Sequence, residues 1–472
     1  MGQKLSRGIL SVLIANIINL SFNLVSNFLL PKYLSVDTYA HIKTFTLLLS
    51  YAGFLHLGYA DGMYLKYGGK DRRELEIIDL EMNLSIMRIF QVAISIGVII
   101  VGLTIKDYGV VIFGCTLMPY NMSWYFRNLY QAIGEFITYG RVLNVISITL
   151  FVLNMGLLFL IRTDVYIHYL FVYFTVYFST WIFIEYRVRN VLQAKLRWVL
   201  FSTREFKENI QSGFLLMLGT FSSNLLTSMD RWFVKGLFDN VAFAQYSFAV
   251  SMESFLNVAI TPITVTLYNF FCKTNNVSQI QRIKRYVMIF SSFLISSAFW
   301  GDWILRIWLP NYLGSTTVMY CLFCSQFFYI IIRSIYVNLY NAQKRQKTYF
   351  INITIVIFSG FISNGIIYVI FHNKESFAIA TLLSAILWFF LCIKDFSGIK
   401  LTMKDLAYII ICPMAFLLCS IFIGSLFGFI IYIVILVIVC FVLMKRESVE
   451  LIGYVAHIMD EKLNRMKSNA PI

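Results

Sequence analysis

Charge is scarce in this chain of 472 residues: Asp, Glu, Lys and Arg together make up 13% of it. Hydrophobic residues make up 59% and the mean hydropathy is +0.73, a balance that excludes both a soluble globular domain and a disordered chain. Acids are scarcer than bases, 24 against 39, for a formal net charge of +15. A nucleic-acid partner would need those bases gathered on one folded surface, whereas here they punctuate apolar runs, so none is expected. The eight Cys lack the paired spacing of a zinc site or a disulfide framework. Cys321 and Cys324 form a C-x-x-C pair, but inside a predicted span, where they read as small core residues. No disulfide and no metal are expected. Ten-residue segments of period two, the mark of a membrane barrel, are absent. Absent too are G-x-S-x-G, H-E-x-x-H, a Walker A loop and paired carboxylates on a large outer loop, which argues against an enzyme and against any cofactor. His41, His56, His168, His372 and His457 are scattered and read as core or interfacial residues.

What the chain does have is a succession of apolar runs, each long enough to cross a bilayer as a helix. Read against charge and turn residues, they predict an all-α polytopic membrane protein with about 14 transmembrane helices. The spans are 9–34, 43–65, 83–105, 108–133, 140–161, 165–186, 212–236, 240–271, 287–309, 312–340, 349–371, 376–393, 406–425 and 427–444. The basic N-terminal stretch runs into the first of them without a small-residue cleavage site, so an uncleaved first span is expected. Most Lys and Arg fall on the side of the N-terminus, and the positive-inside rule then puts both termini in the cytoplasm.

A weak repeat at an offset of about 203 residues aligns Asn27 with Asp230, Lys32 with Lys235 and Leu34 with Leu237. It divides the first twelve spans into two six-helix lobes, 1–186 and 212–397, in a parallel pseudo-symmetric repeat. The basic amphipathic stretch 187–211 between them reads as a cytoplasmic interfacial helix. An additional transmembrane hairpin, 398–444, and a cytoplasmic amphipathic tail, 445–472, complete the predicted organisation.

Several spans carry polar residues at helical spacing. Asn16, Asn19, Asn23 and Asn27 line one face of the first, and Asn224, Ser228, Arg231 and Lys235 one face of the seventh. Ser123, Arg127, Gln131 and Glu135 form a stripe on the fourth. Arg333 lies among Gln326, Tyr329, Tyr336 and Tyr340 on the tenth, and Arg88 with Gln91 and Ser95 on the third. An Arg within the bilayer costs at least about 2.5 kcal/mol, so it is kept where it meets a cavity, a partner or an interface. Asn23, Asn27, Arg88, Arg127, Asn224, Arg231, Lys235 and Arg333 are therefore the candidate substrate-binding residues. Helix packing through small polar residues is the competing reading for the amides, and snorkelling for Arg231 and Lys235. Glu253, midway along a long span with Pro262, is the leading candidate for binding a driving H+ or Na+, with Asp61 next. Pairing with an Arg is the plainer reading of such acids, and for Glu253 a neutral or hydrogen-bonded carboxyl is the competing one.

The stretch LSVLIANIINLSFNLVSNFLLPKYLSVDTYAHIKTF, the following GYADGMYLKYGG and the later MDRWFVKGLF resemble bacterial oligosaccharide flippases of the capsule and O-antigen pathways. Those belong to the multidrug/oligosaccharidyl-lipid/polysaccharide exporter superfamily. The resemblance implies two six-helix lobes about a central cavity in the bacterial plasma membrane. It implies ion-driven alternating access that carries an undecaprenyl-diphosphate-linked oligosaccharide from the cytoplasmic to the outer leaflet. A glycan polymerase and a chain-length regulator are the partners it implies. A drug or metabolite exporter of the same superfamily, or a non-transporting scaffold of a glycan-assembly complex, are the alternatives. An exporter of cations would favour an acidic cavity, which the Arg residues in the spans argue against.

Overall fold

The computed structural model describes residues 2–70, 72–192, 201–273, 276–399, 401–451 and 453. All regular structure among them is helical, as predicted. Part of the predicted interfacial segment, 193–200, and nearly all of the predicted tail, 454–472, lie outside the described residues. The chain divides into two compact units, Met1–Ser247 and Phe248–Ile472.

The first unit holds α1 (Gly2–Tyr33), α2 (Val36–Ala52), α3 (Tyr59–Tyr67), α4 (Ile77–Thr104), α5 (Tyr108–Ala132), α6 (Phe136–Gly156), α7 (Tyr166–Leu192) and α8 (Thr203–Leu237). It ends within α9 (Asn240–Ser254). Its core is aromatic and sulfur-rich: Tyr59, Met63 and Tyr67 of α3 pack with Leu84 and Met87 of α4, Tyr125 and Phe126 of α5, and Ile184 of α7. Local chemistry sets several helix starts. Asp107 caps α5 by accepting the Gly109 and Val110 amides at 2.8 and 3.2 Å, and Ser202 caps α8 through the Glu205 amide at 3.3 Å.

The predicted second span is not one helix. After α2 the chain makes a single 3-10 turn over Gly53–His56, then takes left-handed backbone at Leu57 and Gly58 before α3 begins. The break lets α3 lie flush against α8. A Cβ on Gly62 would sit 1.9 Å from the Asn209 carbonyl oxygen, and one on Gly213 would sit 2.1 Å from that of Gly58. Only glycines permit this approach, which is how small residues join membrane helices. Below the interlock, Asn209 donates to Asn83 at 2.6 Å, and Lys66 bridges Asp79 and Glu205 at 2.7 Å each.

The second unit holds α10 (Asn257–Lys273), α11 (Val277–Ile295), α12 (Ser297–Trp308), α13 (Thr316–Ile331), α14 (Asn338–Ala342), α15 (Gln346–Phe371), α16 (Glu375–Asp395), α17 (Met403–Leu418) and α18 (Ser425–Leu443). The segment Pro310–Ala342 is its central element, 94% buried against 28% for Gln346–Phe371. A π-helical turn at Ile332–Val337 joins α13 to α14. The predicted eighth span is also interrupted, because α9 ends at Ser254 and α10 starts at Asn257.

Eleven helical segments among the described residues are long and apolar enough to cross a membrane. The chain is therefore a multi-pass membrane protein. The other three predicted spans fall on α2 with α3, on α5 and on α8. Helices α2 and α3 each fall short of a full crossing, at 17 and 9 residues, and α5 and α8 carry the polar stripes that lower apolarity.

Candidate functional site

A polar cavity of about 390 Å3 opens inside the first unit, walled by α1, α2, α5, α6 and α7. Three of the asparagines of α1 line it. Asn19 Nδ2 donates to Ser147 Oγ of α6 at 2.8 Å, Asn23 donates to Asn19, and Asn27 Oδ1 accepts from Lys43 Nζ at 2.7 Å. The Asn19 end of the row ties α1 to α6, as the packing reading expects, and its Asn27 end holds Lys43 at the cavity wall.

Lys43 and Arg127 are the charged residues of the lining, and no carboxylate is found among the described residues there. The Arg127 guanidinium stacks over Trp124 at 4.9 Å, which leaves its Nε buried without an acceptor among the described residues. Asn154 Oδ1, on the facing α6, is buried without a donor among the described residues. A buried donor or acceptor left unmade costs about 1–3 kcal/mol, so both groups favour a ligand that completes them. Tyr120, Tyr173 and Tyr177 supply further hydroxyls and ring faces. Two cations, several amides and hydroxyls, and aromatic walls form a chamber suited to an anion that carries neutral polar groups.

Of the residues singled out from the sequence, Asn23, Asn27 and Arg127 meet in this cavity. Asn224 and Arg231 lie beside it on α8. Asn224 donates to the Ser50 carbonyl at 3.1 Å, and Ser50 is itself in the lining. Arg231 is close enough to Lys43 for their charges to interact, and its Nε has no acceptor among the described residues. The neighbouring Asp230 is held by Tyr246, whose hydroxyl donates to Oδ2 at 2.6 Å. Lys235 donates to Asn240 at 2.8 Å and lies over the Phe243 ring, with Asn240 passing the bond on to Asp37 at 2.7 Å. Arg88 stands outside the lining: it is 3% exposed and its Nη2 lies 2.6 Å from Glu185 Oε1, which is the arrangement of a buried ion pair.

Asp61 lies at the α3–α8 interlock, where its Oδ2 is 3.9 Å from His56 Nε2. His56 Nδ1 accepts the Gly58 amide at 3.1 Å, so in the neutral ring the proton sits on Nε2 and points at Asp61. In the second unit, Glu253 accepts from Gln326 Nε2 one residue before α9 ends, and Arg333 Nη1 reaches Asn257 Oδ1 at 3.4 Å just past the interruption. Glu253 and Asn257 therefore flank the break, across which the chain keeps tighter i→i−3 bonds such as Phe255 N–H to the Met252 carbonyl at 3.2 Å and Leu256 N–H to the Glu253 carbonyl at 3.1 Å.

Sequence reasoning missed Lys43. The signal was present, because Lys43, Thr46 and Ser50 follow the three-and-four spacing of the other stripes and all three line the cavity. Lys43 falls at the first residue of the predicted second span, where a Lys reads as an interfacial charge. Glu185 was missed for a different reason: nothing in the sequence pairs it with a residue 97 positions away.

No family profile matches the sequence, and no curated protein does. The solved structures are more informative. Lipid II flippase MurJ in its inward closed conformation is similar with a TM-score of 0.60 at 16% identity, over 93% of this chain and 99% of that one. An inward-facing multidrug resistance MATE family transporter of the MOP superfamily is similar with a TM-score of 0.59 at 13% identity, over 81% and 96%. A variant of the Vibrio cholerae MATE transporter VcmN gives 0.54 at 14%, over 84% and 98%. Identities this low speak for architecture, and on that ground the chain has the fold shared by lipid II flippase MurJ and the MATE transporters of the MOP superfamily.

Proposed function

We propose that this protein is a flippase that carries an undecaprenyl-diphosphate-linked oligosaccharide from the cytoplasmic to the outer leaflet of the bacterial plasma membrane, for capsule, O-antigen or other exopolysaccharide assembly. The observation that carries the reading is the cavity of the first unit, lined among the described residues by Lys43 and Arg127 and by no carboxylate, in a wall of amides, hydroxyls and aromatic rings. A diphosphate cannot enter hydrocarbon uncompensated, and a guanidinium binds its oxygens as a two-pronged donor. Asn23, Asn27 and Asn154 match the hydroxyls of a glycan. Similarity in fold to a lipid II flippase supports the same reading, while the MATE likeness leaves drug export as the competitor. Cation export would call for carboxylates in the cavity.

Arg231, Lys235 and Asn224 extend the site along α8 in this proposal, and Arg333 serves as its counterpart in the second unit. Movement is alternating access between two lobes, 1–186 and 212–397, with both termini cytoplasmic. Glu253 is the proposed cation-coupling residue and Asp61 the second. Depletion of the protein in its own cell tests the function: a lipid-linked oligosaccharide should accumulate in the cytoplasmic leaflet, and its sugars identify the substrate. If no such intermediate accumulates while a cationic drug is retained, the exporter reading replaces this one.

A further inference from the structure

The second unit carries a basic basin that the transport cavity does not account for. It has a volume of about 820 Å3 and is bounded by the start of α11, the start of α17, and the end of α18 with the helical residues 445–451 that follow it. Five cations line it, Arg282, Arg285, Lys404, Lys445 and Arg446, against two acids, Glu447 and Glu450. The acids are already engaged. Glu447 accepts from Arg285 at 2.7 Å, and Glu450 accepts from Arg446 at 3.0 Å and from the Tyr286 hydroxyl. Arg285 is further fixed by Asp405 at 2.8 Å, and Asp405 also holds the fully buried Lys284 at 3.1 Å.

That network forms the floor, and Arg282, Lys404 and Lys445 stand exposed around it with no hydrogen bond or ion pair among the described residues. Three exposed cations on three separate segments converge on one basin, Arg282 near enough to Glu450 for their charges to interact, with Val442, Leu443 and Val449 beside them. Val442 and Leu443 end a membrane helix, so the basin sits at the level where lipid headgroups meet acyl chains. Basic hollows between membrane helices at that depth suit phosphate headgroups. In the topology proposed above, this side faces the cytoplasm, where the leaflet is anionic.

We propose that this basin binds one anionic phospholipid of the inner leaflet, with its phosphate among Arg282, Lys404 and Lys445 and its acyl chains along Val442 and Leu443. The bound headgroup clamps α11, α17 and the end of α18 to one another at the membrane surface. The site is distinct from the cavity of the first unit, and its failure would leave the flippase proposal standing.

The test is lipid retention by the purified full-length protein, measured by native mass spectrometry after extraction from vesicles of phosphatidylcholine with phosphatidylglycerol. Wild type should hold about one phosphatidylglycerol in preference to phosphatidylcholine. The triple variant Arg282→Gln, Lys404→Gln, Lys445→Gln should weaken that retention by roughly a hundredfold, at about fivefold per cation. These three exposed side chains make no hydrogen bond or ion pair among the described residues, so the triple variant should keep the wild-type melting temperature within a few degrees; as a further check, retention by the wild type should fall as salt is raised. Equal retention by the triple variant, or no preference for phosphatidylglycerol, would overturn the proposal. Inorganic diphosphate that binds the wild type while phosphatidylglycerol does not would overturn the lipid assignment in favour of a soluble phosphate.

Discussion

Replacement of Arg127 by Gln removes one of the two charges of the cavity while keeping a polar side chain of similar reach. If the cavity holds a diphosphate, this loses a charge-assisted hydrogen bond worth about 1.5–3 kcal/mol, or roughly tenfold to 150-fold in affinity. The stacking on Trp124 at 4.9 Å is lost as well, which frees the indole and takes the result toward the upper end. Arg127→Lys keeps the charge but neither the planar stack nor the fork of donors, so an intermediate loss of about three- to tenfold is expected. Lys43→Gln should fall toward the lower end of the same range, since Lys43 is a single-point donor held at the wall by Asn27 at 2.7 Å. The assay is titration of an undecaprenyl-diphosphate glycan, with its monophosphate as a control, against each protein in detergent or nanodiscs. The order wild type, Arg127→Lys, Arg127→Gln should hold for the diphosphate and narrow for the monophosphate. Undiminished diphosphate affinity in Arg127→Gln, at normal folding, would refute the assignment of the cavity as the anion site.

Three further outcomes follow from other parts of the molecule. Arg88→Met should cost about 3–5 kcal/mol by removing the cation opposite the buried Glu185, which retains the Trp181 Nε1 bond at 2.6 Å, and the double variant Arg88→Met, Glu185→Leu should recover most of it in a melting experiment; a double variant that stays folded yet loses transport would assign Arg88 to the substrate path instead. Glu253→Gln should abolish dependence on an imposed ion gradient while leaving substrate binding intact, and a variant that still accumulates substrate with the gradient would move the coupling role to Asp61. Gly213→Ala should cost 1–3 kcal/mol or more, because its Cβ would meet backbone atoms of Gly58 and Gly62 at 2.1 and 2.2 Å, whereas Gly219→Ala on the same helix meets nothing within 4 Å and should be neutral or stabilising. Equal melting temperatures for the two alanine variants would contradict the interlock.

The sequence made the class legible because apolar runs and helical periodicity are local properties. The stripe of Asn23 and Asn27 and the position of Arg127 were read from spacing alone, and the cavity is where they meet. What spacing cannot carry is partnership. Arg88 looked like Arg127, each on a polar stripe, yet one meets Glu185 and the other meets a chamber, a difference set by which helix packs opposite. Helix breaks were legible only in part. The left-handed turn at Leu57–Gly58 serves a packing partner more than 150 residues away, at Gly213. The interruption after Ser254 precedes Pro262 by several residues, so the proline did not mark it.

Transport in reconstituted vesicles tests the central claim most directly. A fluorescent undecaprenyl-diphosphate glycan placed in one leaflet would be followed by its exposure to a quencher that cannot cross the membrane, beside a cationic dye loaded into matched vesicles. The account predicts that wild-type protein moves the glycolipid to the opposite leaflet, that the Lys43→Gln, Arg127→Gln variant does not, and that neither expels the dye. Export of the dye with the glycolipid left in place would contradict it.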